Sequence, residues 1–244
     1  MASAASATRS RAPSGPVKFL RSSIGAKSVM ALTGLILTAF VFGHMVGNLQ
    51  IFLGPEPINR YGHFLQSLGE LLWLIRFVLL ATLIVHIASA ARLIVLNRRA
   101  RPIAYVLDDS VQVTFAARTM PWTGMILLAF VVYHLAHFTL GTVQPELFSH
   151  HDELGRHDIY AMVVLGFQDW FVTAWYVVAN ALLALHLSHG VSSLFQSLGV
   201  TTPSLRWPLV DLAGPAVGTA VLIGNLAIPL ASWLGLLELP YGAM

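Results

Sequence analysis

The chain has 244 residues, of which 56% are hydrophobic and 10% charged, whereas about a quarter of the residues of an ordinary soluble domain are charged. This composition excludes a typical soluble enzyme and predicts an integral membrane protein. The chain has ten histidines beside 11 Asp and Glu residues, a high proportion where polar side chains are otherwise scarce. Because it has no cysteine, it cannot form disulfides, thiolate-ligated iron–sulfur clusters or a covalent c-type haem linkage. A metal cofactor would need histidine ligands.

Five runs of the sequence are long and apolar enough to span a bilayer, which takes about 20 apolar residues. Arg76 interrupts the second run near one end, where its side chain can reach the head groups. We therefore predict an all-α integral membrane protein, with residues 1–17 forming a disordered cytoplasmic tail and 18–244 a single membrane domain. The five transmembrane helices are expected at about 28–53, 70–96, 119–142, 169–198 and 212–237.

Basic residues are concentrated in two segments that should face the cytoplasm. The N-terminal tail and the second connection, about 92–118, together hold 10 of the 14 Lys and Arg residues. With five spans, the N-terminus is then cytoplasmic and the C-terminus outside, in the inner (cytoplasmic) membrane of a cell. A mitochondrial transit peptide has a composition similar to the tail, so the mitochondrial inner membrane is the less favoured location. The basic excess reflects topology, and no nucleic acid partner is expected.

The longest connection, roughly 142–168, holds His150, His151 and His157 beside several carboxylates. A zinc-binding or proton-collecting role is one interpretation, but the spacing is not distinctive of a metal site. We favour a solvated loop. No internal repeat, phosphate-binding loop or nucleophile elbow is evident along the chain.

Histidines inside the apolar runs are the main functional signal, because an ionisable group at bilayer depth is costly and usually has a function. The alternative is a histidine that only hydrogen-bonds between packed helices. One histidine on each of the first four helices favours cofactor ligation over packing. The histidines within the runs are His44, His86, His134, His137, His186 and His189.

The depths of these histidines predict two pairs. His44 and His134 lie past the midpoints of outward-running helices, whereas His86 and His186 lie past the midpoints of inward-running helices. At about 1.5 Å per residue, the two levels should be roughly 8–10 Å apart. A pair of neutral imidazoles facing across a helix bundle is what a low-spin haem b requires, and two pairs predict two haems that transfer electrons.

Two further histidines leave the choice of ligand open. His137 and His189 each lie three residues beyond a proposed ligand, about 4.5 Å along the helix, so either member of each pair could bind iron. On depth alone, His134 and His186 form slightly better pairs. The second histidine of each pair could instead hydrogen-bond a haem propionate or a quinone, or simply pack.

The sequence resembles the cytochrome b membrane anchor of succinate:quinone oxidoreductases and fumarate reductases (complex II), in the single-chain, five-helix, diheme class. The resemblance implies that the first four helices form a haem-binding bundle, with His44 and His134 holding the outer (distal) haem and His86 and His186 the inner (proximal) haem. The segments that carry the resemblance are RSSIGAKSVMALTGL (21–35), FGHMVGN, LIVHIASAARL, VVYHLAHF and LHLSHGVSSLFQSLGVT (185–201).

The resemblance also implies partners and substrates. A flavoprotein subunit with covalent FAD would oxidise succinate, and an iron–sulfur subunit would pass electrons through the two haems to a quinone, with menaquinone favoured. The chain would then be a membrane subunit of succinate dehydrogenase in the respiratory chain and the tricarboxylic acid cycle, and reverse operation as a fumarate reductase is equally compatible. The whole complex could also form a higher oligomer in the lipid membrane.

The quinone site is less well defined by the sequence. Glu70, near the outer start of the second helix, is a candidate for quinone proton handling, and the alternative is that it stabilises the helix N-terminus. Ser22, Ser23 and Lys27 at the inner end of the first helix, or Arg92, could serve an inner site or pair with haem propionates, although we favour snorkelling to the head groups and positive-inside topology.

Two alternative functions remain. One is the diheme anchor of a nitrate reductase or hydrogenase, which should place its ligands on different helices. The other is a haem-free, proton-coupled transporter with a histidine relay, which would normally show internal symmetry or broken helices.

Overall fold

The structure is a computed structural model that describes Gly15 and residues 18–19, 22–100, 115–201 and 208–239. In this part of the chain, five helices are long and apolar enough to cross a membrane, which confirms the predicted all-helical membrane protein. The tail predicted to be disordered lies outside the described residues, apart from Gly15. The orientation of the termini stays a prediction.

Eight α-helices make up most of the described chain. The five long helices, α1, α3, α4, α7 and α8, are the candidate membrane spans, and a 3-10 turn, Leu49–Leu53, extends α1. The short helices lie in the connections 49–69 and 139–169. These connections are at the same end of the long helices, which we call the loop end. We call the opposite end, where α1 begins, the Ser23 end. The helices are α1 (Ser23–Asn48), α2 (Pro55–Ser67), α3 (Glu70–Ala100), α4 (Phe115–Phe138), α5 (Pro145–Phe148), α6 (Ile159–Gly166), α7 (Trp170–Ser197) and α8 (Pro208–Trp233).

The helix ends differ from the predicted ones by a few residues because of capping. α1 begins at Ser23 rather than near residue 28, since the hydroxyl of Ser22 accepts a hydrogen bond from the backbone N–H of Gly25 at 3.0 Å. α4 ends at Phe138 rather than near residue 142, because the chain turns at Gly141, whose φ is +64°. The midpoint of the first span therefore lies closer to the N-terminus than the midpoint of the predicted helix.

The outer surfaces of the long helices are apolar and exposed. In α3, none of the most apolar 18-residue stretch is buried within the chain, and Trp73, Phe77 and Ile84 are more than half exposed. In water, an apolar surface of this extent would promote association, whereas in a bilayer the lipid chains cover it. The exposure pattern agrees with a membrane location.

The two connections at the loop end are joined by a buried polar contact. The side-chain amide of Asn59 in α2 donates to Asp158 at 3.0 Å, and its oxygen accepts the backbone N–H of Tyr160 at 2.9 Å. Asp158 also caps α6 by accepting from the N–H of Ala161 at 3.0 Å. Both side chains are more than 90% buried, so α2 and α6 are held in one arrangement.

A surface ion pair strengthens the same contact. Arg156 lies 2.5 Å from the Glu56 carboxylate and 2.7 Å from that of Asp152. The hydrogen bond from Arg156 holds the pKa of Glu56 below its usual value. Because Glu56 is fully exposed, this pair orients the connection more than it stabilises it.

The closest helix packing is between α7 and α8, where α8 places glycines against α7. A Cβ atom at Gly214 would overlap the backbone carbonyl of Ser188, and one at Gly218 would overlap the Ser188 hydroxyl and lie 2.5 Å from the carbonyl oxygen of Ala184. Small residues that let backbones approach this closely are typical of membrane helix interfaces. α8 is thus fixed against the part of α7 that carries His186.

We expect Gly218→Val to destabilise the protein by about 1–3 kcal/mol, because the added side chain must force α7 and α8 apart. Thermal unfolding in detergent would measure the loss. Gly190→Ala in α7 is the matched control, since a Cβ atom at Gly190 would have no neighbour within 4 Å, and it should be neutral or slightly stabilising. Equal effects of the two variants would contradict this account of the packing.

Candidate functional site

Four of the histidines predicted from the sequence form two pairs in the structure. The ring centres of His44 in α1 and His134 in α4 are 5.8 Å apart, and those of His86 in α3 and His186 in α7 are 6.4 Å apart. We call these the loop-end pair and the Ser23-end pair. Among the four helices that carry these pairs, α1 packs against α3 and α7, and α4 packs against α7. Each pair therefore joins helices across a diagonal of the four-helix arrangement.

The spacing of the rings suits a metal ion between them. Imidazole nitrogens bind a metal at about 2 Å, which places the centres of two rings on opposite sides of one ion roughly 6 Å apart. Both pairs are close to this spacing. The rings are inclined to each other by 86° and 63°.

Two threonines orient the rings of the Ser23-end pair. The Thr33 hydroxyl lies 3.1 Å from Nδ1 of His86, and the Thr123 hydroxyl lies 3.1 Å from Nδ1 of His186. Each hydroxyl donates its own proton to a carbonyl of its helix, so its oxygen accepts the Nδ1–H of the histidine. This tautomer leaves the Nε2 lone pair of both rings free for a metal.

A hydrogen-bonded chain orients His134 of the loop-end pair. The Tyr176 hydroxyl lies 3.2 Å from Nδ1 of His134 and 3.1 Å from Nδ1 of His137, and Nε2 of His137 lies 2.8 Å from Oε1 of Gln144. An amide oxygen only accepts, so Nε2 of His137 carries a proton, and its Nδ1 accepts the Tyr176 O–H. The Tyr176 oxygen then accepts Nδ1–H of His134, whose Nε2 is free for a metal.

The same chain distinguishes the two histidines of α4. His137 is 2% exposed, and both of its ring nitrogens are engaged by Tyr176 and Gln144. The geometry therefore favours His134 as the metal ligand and His137 as its buried support. In α7, His186 contacts both His86 and Thr123, whereas His189 takes part in neither contact.

His44 differs from the other three candidate ligands. Its ring is exposed within the chain and stacks on Phe40 with ring centres 5.4 Å apart. The amide nitrogen of Asn48 lies 3.1 Å from Nε2 of His44 and donates to it. Coordination through Nε2 would require this hydrogen bond to be exchanged for a metal bond.

Glycines leave space beside the Ser23-end pair. A Cβ atom at Gly34 would lie 3.3 Å from Cε1 of His86, and one at Gly124 would lie 3.7 Å from Cε1 of His186. Each glycine directly follows the threonine that orients the same histidine. Thr-Gly therefore has the same role in α1 and in α4.

This common role reveals an internal repeat that was not predicted. The segments TGLILTAFVFGH (33–44) and TGMILLAFVVYH (123–134) are identical at eight of their 12 positions. In both segments the Thr-Gly contacts the histidine of the following long helix, and the final histidine belongs to the loop-end pair. The pairs α1–α3 and α4–α7 are thus similar halves, and each histidine pair joins corresponding helices of the two halves.

The two levels are further apart than the 8–10 Å expected. Thr33, at the level of His86, and His44 lie on the same helix and are separated by 11 residues, which corresponds to about 16 Å along an α-helix. Thr123 and His134 have the same separation. The expectation was too small because α1 and α4 begin and end earlier than predicted, so His44 and His134 lie further past the midpoints of their helices.

Glu70 and the loop histidines lie away from the two pairs. Glu70 is exposed in the first turn of α3. His151 and His157 form a backbone bridge, and Nδ1 of His151 bonds to the carbonyl of Ser149 at 2.8 Å. Burial, with the neighbouring His151, lowers the pKa of His157. Within the described ranges, no three His, Asp or Glu side chains are grouped as a metal site.

Four residues that orient the histidines were not predicted: Thr33, Thr123, Tyr176 and Gln144. The repeated Thr-Gly, at the same distance before His44 and before His134, is the signal that could have revealed the two threonines. Tyr176 and Gln144 have no such signal, since their importance depends on how α4, α7 and the connection 139–169 pack together.

Comparisons with protein families, with curated proteins and with solved structures found no match for this chain.

Tyr176→Phe should destabilise the protein by about 1–3 kcal/mol, because it leaves the buried Nδ1 atoms of His134 and His137 without their shared partner. Unfolding of the purified protein in detergent would measure the change. The control is Tyr61→Phe: Tyr61 lines an open cavity, and loss of its hydroxyl should have little effect. A Tyr176→Phe variant as stable as this control would contradict the inferred chain.

Proposed function

We propose that this chain is the diheme cytochrome b membrane anchor of a succinate:quinone oxidoreductase or fumarate reductase, passing electrons between an iron–sulfur subunit and a quinone. The supporting observation is the presence of two histidine pairs at different levels, with ring centres 5.8 Å and 6.4 Å apart, each of which joins the two similar halves. The family resemblance of the sequence supports the particular complex.

The residues of both pairs fit the haem that this function requires. His86 and His186 would hold one haem b, and His44 and His134 the other. Thr33, Thr123 and Tyr176 present the Nε2 lone pairs of His86, His186 and His134, and the glycines beside the Ser23-end pair keep space free. His44 would exchange its bond with Asn48 for the metal bond.

The residues of this chain would control this chemistry by orienting the ligands. A bound haem would supply one-electron transfer between its ferric and ferrous states. Because each haem would be held by two histidines of this chain, its iron would have no open site for oxygen or another substrate, which favours electron transfer over catalysis. The threonine and tyrosine hydroxyls hold the imidazoles in one tautomer, so little reorganisation accompanies each transfer.

Charge supports the placement of the partners. Lys27 near the start of α1 and Arg98 and Arg99 in the last turn of α3 are exposed at the Ser23 end. Positive charge marks the cytoplasmic side of a membrane protein, so the Ser23 end would face the cytoplasm and dock the iron–sulfur and flavoprotein subunits. Electrons would then leave from the loop-end pair to a quinone, with menaquinone favoured.

The proposal is tested by a reduced-minus-oxidised absorption spectrum of the full chain purified from membranes, together with the haem content per chain. We expect b-type bands and two haems per chain. A purified, folded chain without b-type bands would overturn the haem assignment and favour the transporter with a histidine relay. Co-purification of nitrate reductase or hydrogenase subunits, in place of a flavoprotein, would overturn the assignment to this complex.

A further inference from the structure

Two histidines of the loop end, His151 and His157, are joined through their backbones. They form an antiparallel bridge, and two backbone hydrogen bonds flank it. These bonds run from the N–H of Asp152 to the carbonyl of Arg156 at 2.8 Å and from the N–H of Asp158 to the carbonyl of His150 at 3.0 Å. Because His151 and His157 exchange no bond with each other, they are a non-hydrogen-bonded pair, the arrangement in which two side chains on one face lie closest.

The two imidazoles of this bridge, which we call the bridge pair, are near the spacing that a shared metal ion requires. Their ring centres are 6.5 Å apart, and the rings are inclined by 77°. A tetrahedral ion bound to both rings would hold the ring centres about 5 Å apart, so the rings need to approach by only about 1–2 Å. The side chain of His151 is exposed, and a small rotation of it closes this gap.

The hydrogen bonding of His151 gives it the tautomer that binds a metal. Its Nδ1 lies 2.8 Å from the carbonyl oxygen of Ser149. A carbonyl only accepts, so Nδ1 carries the proton and the lone pair of Nε2 is available to an ion. A backbone carbonyl that holds the other ring nitrogen in this way is a common support of metal-binding histidines. The ring of His157 packs on Phe148 with centres 4.8 Å apart, which limits its rotation.

The turn between the two histidines is already fixed by other contacts. The carboxylate of Asp152 accepts the backbone N–H of Leu154 at 3.0 Å, the backbone N–H of Arg156 at 2.9 Å and Nε–H of Arg156 at 2.7 Å. The second half of the bridge is held by the buried bond between Asn59 and Asp158. Binding of an ion would therefore order little additional backbone, and such preorganisation favours affinity.

We propose that His151 and His157 bind a divalent transition-metal ion of the class that includes Zn²⁺, Ni²⁺ and Cu²⁺. Imidazole nitrogens suit these ions, whereas Ca²⁺ and Mg²⁺ prefer oxygen ligands. Among the described residues, no third His, Asp or Glu is grouped with the bridge pair, so water completes the coordination. Because the site has two protein ligands and faces the medium, its ion exchanges with the surroundings.

A bound ion would fasten the connection 139–169. It would link residues 151 and 157 in addition to their backbone bridge, and an ion that binds only the folded connection stabilises that connection by mass action. The same connection supplies Gln144 to His137. The proposal does not depend on haem binding, since the bridge pair shares no residue with the loop-end pair or the Ser23-end pair.

Titration of zinc chloride into the full chain, without a histidine tag and stripped of metal by a chelator, tests the proposal in detergent. Calorimetry gives the dissociation constant. We expect His151→Ala and His157→Ala each to raise it at least about tenfold, which corresponds to about 1.4 kcal/mol. Cu²⁺ should bind more tightly than Zn²⁺, with two imidazole nitrogens visible in its electron paramagnetic resonance spectrum, and magnesium chloride should not bind.

The matched control is His150→Ala, which should bind zinc as the unmodified chain does, because successive side chains of an extended segment point to opposite faces. Zinc should also slow proteolysis of the connection 139–169 in the unmodified chain and in His150→Ala, but not in His151→Ala. Since His151 is exposed, its replacement should leave stability without metal unchanged.

Two results would overturn the proposal. One is zinc binding that is as tight in His151→Ala and His157→Ala as in the unmodified chain. The other is binding that is lost in His86→Ala and kept in His151→Ala, which would place the ion in the Ser23-end pair.

Discussion

Under the proposed diheme function, replacement of His86 by alanine is expected to lower the haem content of the purified chain by about half, because the haem that His86 and His186 would hold loses one of its two ligands. His186→Ala should have the same effect, since the two rings face each other at 6.4 Å. The loop-end pair lies about 16 Å away along the helices, so its haem should be retained in both variants. Haem extraction and the reduced-minus-oxidised spectrum measure the loss.

The matched control for His186→Ala is His189→Ala, three residues further along α7. His189 contacts neither His86 nor Thr123, so this variant should keep both haems. Loss of the same haem in His189→Ala, with His186→Ala unchanged, would show that the wrong histidine of α7 was chosen. Retention of both haems in His86→Ala would contradict the pairing across the diagonal.

The second large effect is expected from Asn59→Leu at the loop end. This variant removes the donor to the buried Asp158 carboxylate and the acceptor of the Tyr160 N–H. Loss of a hydrogen bond to a buried charged group costs about 1.5–3 kcal/mol, and the unpaired N–H adds to the cost. We expect a destabilisation of about 3 kcal/mol, measured by unfolding in detergent, together with faster proteolysis of the connection 139–169.

Arg60→Gln is the control for Asn59→Leu, because Arg60 is the adjacent residue of α2 and is exposed. It should change stability by less than about 0.5 kcal/mol. If Asn59→Leu left both stability and proteolysis of the connection unchanged, Asn59 would not be what joins α2 to α6. The haem content of Asn59→Leu should stay close to that of the unmodified chain, since neither pair contacts Asn59.

The membrane spans could be predicted from the sequence because their signal is local. A helix in a bilayer needs a continuous apolar run, and every charge that interrupts the run is visible in the sequence. The positions of the helix ends were predicted less accurately, because the cap at Ser22 and the turn at Gly141 depend on single hydrogen bonds and backbone angles.

The choice within each HxxH could not be made from the sequence. Residues three apart on a helix differ by only about 60° around its axis, so a small rotation of α4 or α7 decides which histidine faces the bundle. In α4 the position of Tyr176, a residue of another helix, provides the evidence. Tyr176 and Gln144 occupy both nitrogens of His137 and leave Nε2 of His134 free.

The sequence by itself determined that the chain crosses a membrane with five helices and that four of them carry histidines at bilayer depth, because composition and helical rise are properties of local segments. The tertiary structure alone decided which rings face each other, which hydroxyls orient them and that two similar helix pairs enclose them. These features join residues that are 40 to 100 positions apart, and their geometry depends on the rotation and depth of each helix, which packing between helices sets.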